Sequence, residues 1–310
     1  MKYDIVALGE ILVDFLPMGK DDQSDAVYAR KAGGAPVNLL ATASKFGAKT
    51  AFIGKVGNDS FGGFLRNTLK NCGISDKGLV DDNEHNTTLA FVTLDDTGDR
   101  SFTFYRNFGA DTFLSRDEVD TELISNTKLF HFGSLSLTSS VSRSATEYAI
   151  DTAKKSGAII SYDPNYRALL WENEDVARET LGMYTKFADI IKLSKEEASL
   201  ICGLNTREAA VELLYKQGRK IVLITDGANG VVYYGANELG YVPSLDVKPV
   251  DTTGAGDIFF GTFLSEVIKA NKPVEALTFN EITGFVEKAV NISGKSTLRK
   301  GAITSIPDIK

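Results

Sequence analysis

Short apolar runs recur along the chain without polar alternation. They are YDIVALG (3–9), KLFHFG (128–133), AIISYD (158–163), DIIKLS (189–194) and KIVLIT (220–225). Strands buried on both faces read this way, and parallel sheets bury both faces. Between the runs the period becomes helical. Over 139–155, Val141, Ala145, Tyr148, Ala149 and Thr152 share one face. NTREAAVELLYKQG (205–218) starts at an Asn or Thr cap and stops at Gly218. This alternation predicts an α/β fold, a mostly parallel β-sheet sandwiched by helices.

Two segments depart from the pattern. ILVDFLP (11–17) runs into a charged stretch at 19–25. TTLAFVTLDDTGDRSFTFYR (87–106) predicts a hairpin: two β-rich runs flank the turn signal Asp96-Thr97-Gly98-Asp99, and Phe102 and Phe104 alternate with polar residues. Such one-sided strands suit a small β-sheet lid over the edge of the main sheet. No repeat, low-complexity tract or linker interrupts the chain. Residues 1–310 are therefore expected to form a single domain, with the lid made by insertions at about 11–31 and 87–106.

Ligands of open α/β sheets bind beyond the carboxyl ends of the strands. Those ends carry Gly9-Glu10, Gly133-Ser134, Asp163-Pro164-Asn165, Ser194 and Thr225-Asp226-Gly227. The most informative stretch is VDTTGAGDIFFG (250–261). Gly254 and Gly256 let the backbone turn tightly into an apolar helix and leave its first N–H groups uncovered. Free amides at a helix start make an anion site. Asp257 follows in the first turn. Amides that stabilise a moving phosphoryl group, beside an acid that accepts a hydroxyl proton, suit phosphoryl transfer. The stretch also reads as a plain glycine turn with an acid favoured near a helix start.

Three further glycine stretches divide differently. In KAGGAPVNLLATASKFG (31–47), Gly33 and Gly34 would let a ligand approach the backbone while Asn38 reads its hydroxyls; Pro36 is also an ordinary helix start. GKVGNDSFGGFL (54–65) has the wrong spacing for a dinucleotide fingerprint and reads as a turn into a helix capped around Asp59 or Ser60. SGKST (293–297) resembles the end of a phosphate loop, but Ala289 stands where that motif needs glycine, and a helical pattern precedes it.

Composition narrows the partners. With 310 residues and 43% hydrophobic content the chain can bury a large core. A net charge of −7 without a basic stripe argues against nucleic acid and anionic membrane surfaces. Cys72 and Cys202 lie far apart and match no zinc spacing, so a reduced, intracellular protein is expected. The first apolar run is too short for a signal peptide, and no stretch approaches the ~18 apolar residues of a membrane span. A cytoplasmic location is the expectation. His85 and His131 are unpaired in sequence, and His131 reads as a core residue.

Taken together, GGAPVN, GKVGNDSFG and DTTGAGD, in that order, identify the chain as resembling the ribokinase-like PfkB family of sugar kinases from end to end. Within the family, GEILVDFLP, RSFTFYRNFGAD and SYDPNYRALLW resemble the bacterial fructokinase branch. The resemblance implies a ribokinase-like fold with a β-lid that closes over the sugar and helps form a homodimer. It implies that Asp257 is the catalytic base and that Gly254, Ala255 and Gly256 form the anion hole. Asp14, Gly33, Gly34 and Asn38 match sugar contacts, and Tyr105, Arg106 and Arg167 match positions that choose the sugar. Thr225, Gly227 and Gly230 match the nucleotide side. Ser194 and Glu197 match an Asn-x-x-Glu motif linked to magnesium and phosphate, with Ser194 in place of Asn. Asp251 and Thr253 match part of a monovalent-cation site, usually potassium, which 289–302 would complete.

The implied activity is ATP-dependent phosphorylation of D-fructose at its 6-hydroxyl. The residues ask for the same partners. ATP is polyanionic and the chain acidic, so Mg²⁺ must screen the phosphates. A neutral sugar needs hydroxyl readers such as Asp14 and Asn38. The alternatives are a 2-keto-3-deoxygluconate kinase, in which Arg106 and Arg167 would grip a carboxylate, another sugar kinase of the family, and a sugar-binding regulator without catalysis.

Overall fold

The computed structural model describes residues 1–94 and 100–308; the expected turn at Asp96–Asp99 lies outside them. The strands are β1 (Tyr3–Leu8), β2 (Leu12–Lys20), β3 (Ala26–Gly33), β4 (Thr50–Gly57), β5 (Ile74–Asp82), β6 (Leu89–Leu94), β7 (Arg100–Tyr105), β8 (Thr127–Phe132), β9 (Ile159–Tyr162), β10 (Ile190–Ser194), β11 (Ile221–Thr225), β12 (Val231–Gly235) and β13 (Glu238–Val242). The helices are α1 (Ala35–Lys45), α2 (Ser60–Asn71), α3 (Thr121–Ser125), α4 (Ser140–Ser156), α5 (Glu174–Thr185), α6 (Lys195–Cys202), α7 (Arg207–Lys216), α8 (Ala255–Lys269) and α9 (Phe279–Ser296).

The five apolar runs of the sequence become β1, β8, β9, β10 and β11, neighbours in a nine-stranded sheet of order β13-β12-β11-β10-β9-β8-β1-β4-β5. All pairings from β11 to β5 are parallel, and β12 and β13 close one edge antiparallel. Burial on both faces explains why these runs carry no polar alternation. In β1, Ile5 and Ala7 join a core with Val37, Leu40, Phe260 and Leu264 from α1 and α8, while Val6 and Leu8 join a second core with Ala145 and Ala149 from α4.

Two expectations need correction. The buried face of α4 is Ser142, Ala145, Thr146, Ala149, Ile150 and Ala153. Turning this mostly small-residue face inward leaves Val141 37% exposed. Residues 54–57 are not a turn but the end of β4, paired with β5. Gly54 is there because a Cβ would come 2.8 Å from the Gly9 carbonyl oxygen and 2.5 Å from the Phe52 ring. The helix that follows is capped as expected: the Asp59 carboxylate accepts from the N–H groups of Phe61 and Gly62.

A second, four-stranded sheet has the order β3-β2-β6-β7. Both segments that broke the sequence pattern contribute to it. Its inner aromatic residues reach α2: Phe15 stacks on Phe91 at 4.7 Å and meets the edge of Phe61 at 5.8 Å.

Candidate active site

Helix α8 starts at Gly254, whose φ of 73° is left-handed. A side chain there would also come within 2.6 Å of the Ala302 Cβ. The Ala255 N–H turns back to the Thr252 carbonyl at 3.1 Å. Gly256 and Asp257 therefore present the first-turn amides that have no carbonyl one turn back within the helix.

Asp257 is buried there between two amide side chains. Its Oδ2 accepts from Asn38 Nδ2 at 2.8 Å, and its Oδ1 accepts from Asn165 Nδ2 at 3.1 Å. Burial, and then the nearby Asp163 charge, push the carboxyl up to about 6; Asn38, Lys192 and Arg167 pull the other way. A carboxyl poised near neutrality suits general-base work. Asn38 has spent its nitrogen on Asp257, and its Oδ1 is buried without a partner among the described residues. That orphaned acceptor fits a ligand hydroxyl.

The other expected sugar contacts gather around the start of α1. Gly34 has φ 116°, and a Cβ on it would lie 2.5 Å from the Glu10 carbonyl oxygen. Glu10, whose carboxyl burial pushes up to about 7, accepts from the Ala35 N–H at 2.9 Å and so ties β1 to the helix start. Gly33 leaves room for Asp14: a Cβ there would sit 2.2 Å from Asp14 Oδ2. Burial raises the Asp14 carboxyl to about 6, opposed by Arg167. The charge of exposed Arg167 thus acts on both Asp14 and Asp257.

Arg106 and Tyr105 sit differently from a ligand-facing pair. The Arg106 guanidinium is buried and engaged with protein: Nε and NH2 lie 2.8 Å from Asp111 Oδ2, NH1 donates to Thr138 Oγ1 at 2.7 Å, and NH2 donates to the Leu135 carbonyl. Tyr105 is 63% exposed on β7, edge-on to Phe91.

Sequence reasoning missed three residues of this centre. Lys192 lies inside the β10 run, buried, with Nζ 2.8 Å from Asp163 Oδ2. Burial opposes its charge, but Asp163, Glu197 and Asp257 outweigh it and hold the ammonium above its ordinary value. A Cβ on Gly256 would lie 3.0 Å from Lys192 Nζ, so a cation stands directly under the helix start. The available signal was a lysine inside a run buried on both faces, a place lysine occupies only when paired. Asp163 and Asn165 were visible as strand-end residues, but their roles depend on contacts across the sheet.

Beside the start of α8 lies a cavity of about 410 Å³. Thr225, Gly227 and Gly230, expected on the nucleotide side, line it together with Ala255 and Gly256. Its walls include Val231, Val247, Phe259 and Val290, apolar surface suited to a flat ring. Ser293, Gly294 and Thr297 also line it, as the end of α9 and not as a phosphate loop. Ser293 Oγ donates to the Ala255 carbonyl at 2.8 Å.

Ser194 and Glu197 form a capping box at the start of α6. Glu197 Oε2 accepts from the Ser194 N–H and Oε1 from the Tyr166 N–H, both at 2.7 Å. Among the described residues no three His, Cys, Asp or Glu side chains group to hold a metal ion. The buried carboxylates of Asp163, Glu197 and Asp257 nevertheless share the single ammonium of Lys192. That excess of negative charge fits a Mg²⁺ carried by nucleotide phosphates and water better than a protein cage. Asp251 is buried against the segment expected to complete a cation site: Oδ1 accepts from the Thr253 N–H and Oδ2 from the Gly301 N–H, both at 2.8 Å.

A sequence model described as pfkB family carbohydrate kinase matches residues 2–309. Fructokinase-1 of Zea mays is 39% identical, over 98% of this chain and 94% of the relative. The structure of a fructokinase with bound ATP from Xylella fastidiosa superposes with a TM-score of 0.90 at 32% identity, over 99% of this chain and 96% of that one. A double mutant of the Vibrio cholerae O395 fructokinase, in its fructose, ADP and potassium ion bound form, gives a TM-score of 0.87 at 32% identity, over 99% and 96%.

Proposed function

Because the chain belongs to the pfkB family of carbohydrate kinases, we propose that it is an ATP-dependent fructokinase, moving the γ-phosphoryl group of ATP to the 6-hydroxyl of D-fructose. The observation that carries the reading is the buried Asp257 carboxylate at the start of α8, with Lys192 beneath that helix start and the cavity of about 410 Å³ beside it. Asp257 takes the proton of the attacking hydroxyl. The Gly256 and Asp257 amides and the Lys192 ammonium stabilise charge on the transferring phosphoryl. Mg²⁺ arriving with ATP supplies charge screening on the phosphates. Asn38 Oδ1 and Asp14 read sugar hydroxyls, with Asn165 holding Asp257 in line.

Fructose is favoured over 2-keto-3-deoxygluconate because Arg106 is spent on Asp111, Thr138 and Leu135. Of the two arginines expected to grip a substrate carboxylate, Arg167 alone is left, so the paired grip is lost. The measurement is kcat/KM across sugars in a coupled ADP-release assay. Fructose should exceed ribose at least ~100-fold, the order expected when a polar site is left with unpaired groups. Higher efficiency on ketodeoxygluconate than on fructose would overturn the substrate assignment.

The small sheet serves as the lid of a single kinase domain. Closure over fructose brings Asp14 and Tyr105 to the site and excludes water that would otherwise accept the phosphoryl. Fructose with a nonhydrolysable ATP analogue should slow hydrogen exchange in 11–31 and 87–106 and leave the sheet core nearly unchanged. Equal exchange with and without ligands would exclude a lid. The same sheet is the surface we assign to a homodimer, Asp251 and Thr253 with 289–302 to a potassium ion, and the cytoplasm to the protein.

A further inference from the structure

We propose that Glu197 is a positioning residue for the sugar side of the site: its carboxylate anchors the segment 163–167, which presents Asn165 to Asp257 and carries Arg167. The inference rests on the kinase reading above for what Asn165 and Arg167 do, and on geometry alone for what Glu197 holds.

The segment between β9 and the turn at 168–170 belongs to no strand or helix. Its backbone is pinned at both ends, by Asp163 N–H to the Phe132 carbonyl at 3.3 Å and by Leu170 N–H to the Arg167 carbonyl at 2.9 Å, and at three points between. Ser134 N–H donates to the Pro164 carbonyl at 3.1 Å, Asn165 N–H to Asp163 Oδ1 at 3.2 Å, and Tyr166 N–H to Glu197 Oε1 at 2.7 Å. The last is the shortest and the only one made to a residue beyond β10. Asn165 sits at φ 47°, a left-handed conformation that asparagine adopts more readily than most residues other than glycine. From there its side chain reaches Asp257 Oδ1 at 3.1 Å. The clamp acts on the very next residue, Tyr166, and Arg167 follows.

Glu197 suits this task chemically. It is 6% exposed, and each oxygen takes one backbone N–H at 2.7 Å, from Ser194 and from Tyr166. Hydrogen bonds to a carboxylate are stronger than neutral ones. A glutamine could accept only one of the two and would turn its NH2 toward the other amide. One carboxylate thus ties the start of α6, on the nucleotide side, to the loop that orients the base.

Two variants separate this role from a metal role. Glu197→Gln removes the carboxylate. Replacing the Tyr166 backbone amide by an ester, through the α-hydroxy acid analogue of tyrosine, removes only the donor and leaves Glu197 intact. In both, hydrogen exchange across 164–171 in the ligand-free protein should accelerate at least ~10-fold. In both, KM for fructose should rise ~10-fold or more, and in the ester variant, which keeps the carboxylate, the Mg²⁺ concentration for half-maximal rate should stay within about threefold. Unchanged exchange in the ester variant would overturn the proposal. So would a raised Mg²⁺ requirement with an unchanged fructose KM in that same variant. If the wild-type chain phosphorylates no sugar, the kinase reading fails, but the exchange measurement, made without ligands, still decides the anchoring.

Discussion

Asp257→Asn should keep its fold, bind fructose and ATP within a few-fold of wild type by calorimetry, and turn over ~10²–10⁴ more slowly. The loss falls on kcat because asparagine keeps the shape of the side chain but cannot take the proton. The packing predicts little structural damage. One end of the new amide would face a donor, but Asn38 can turn its amide and present its unpartnered Oδ1 instead. Nor is a stabilising charge lost. The folded carboxyl titrates at about 6 against an ordinary 3.8, so its ionised form is disfavoured by folding at neutral pH. That shift corresponds to roughly 3 kcal/mol of cost, which the neutral amide does not carry. The variant should melt no lower than wild type. In the wild type, kcat/KM should fall as pH drops through about 6, where the base becomes protonated. A variant with kcat within tenfold of wild type would mean that Asp257 only starts a helix.

Lys192→Met should lose both activity and stability. Its ammonium lies beneath the helix start and pairs with buried Asp163. Removing one partner of a buried pair leaves an uncompensated charge and costs ~3–5 kcal/mol. On the proposed role of Lys192 beside the transferring phosphoryl, losing its charge should cost ~10²–10³ in kcat. The two effects can be separated. Lys192→Met with Asp163→Asn neutralises the orphaned charge and keeps the oxygen that accepts the Asn165 N–H. Thermal melts should show much of the stability restored, and kcat should stay low. Recovery of activity along with stability would make Lys192 a packing residue and remove it from the mechanism.

The sheet's centre was legible because parallel strands covered on both faces need unbroken apolar runs, as in KIVLIT and AIISYD. Strand β4 escaped because Gly54, Lys55 and Gly57 look like turn chemistry. Gly54 answers instead to the backbone of Gly9 and the Phe52 ring, contacts that no local pattern displays. The start of α8 could be read from DTTGAGD because the chemistry is contiguous in sequence. Lys192, Asp163 and Asn165 could not be given roles, because their roles arise where β10 and the end of β9 meet α8. Arg106 shows the converse. An arginine beside the lid invites a ligand, yet Asp111, five residues on, claims it.

The most direct test of the account is phosphoryl transfer itself. The purified chain, given ATP, Mg²⁺ and D-fructose, should release ADP stoichiometrically with fructose 6-phosphate, and Asp257→Asn should form the same product at a rate lower by ~10²–10⁴. Absence of sugar-dependent ADP release with fructose and with every other sugar offered would contradict it, as would an Asp257→Asn variant as fast as wild type.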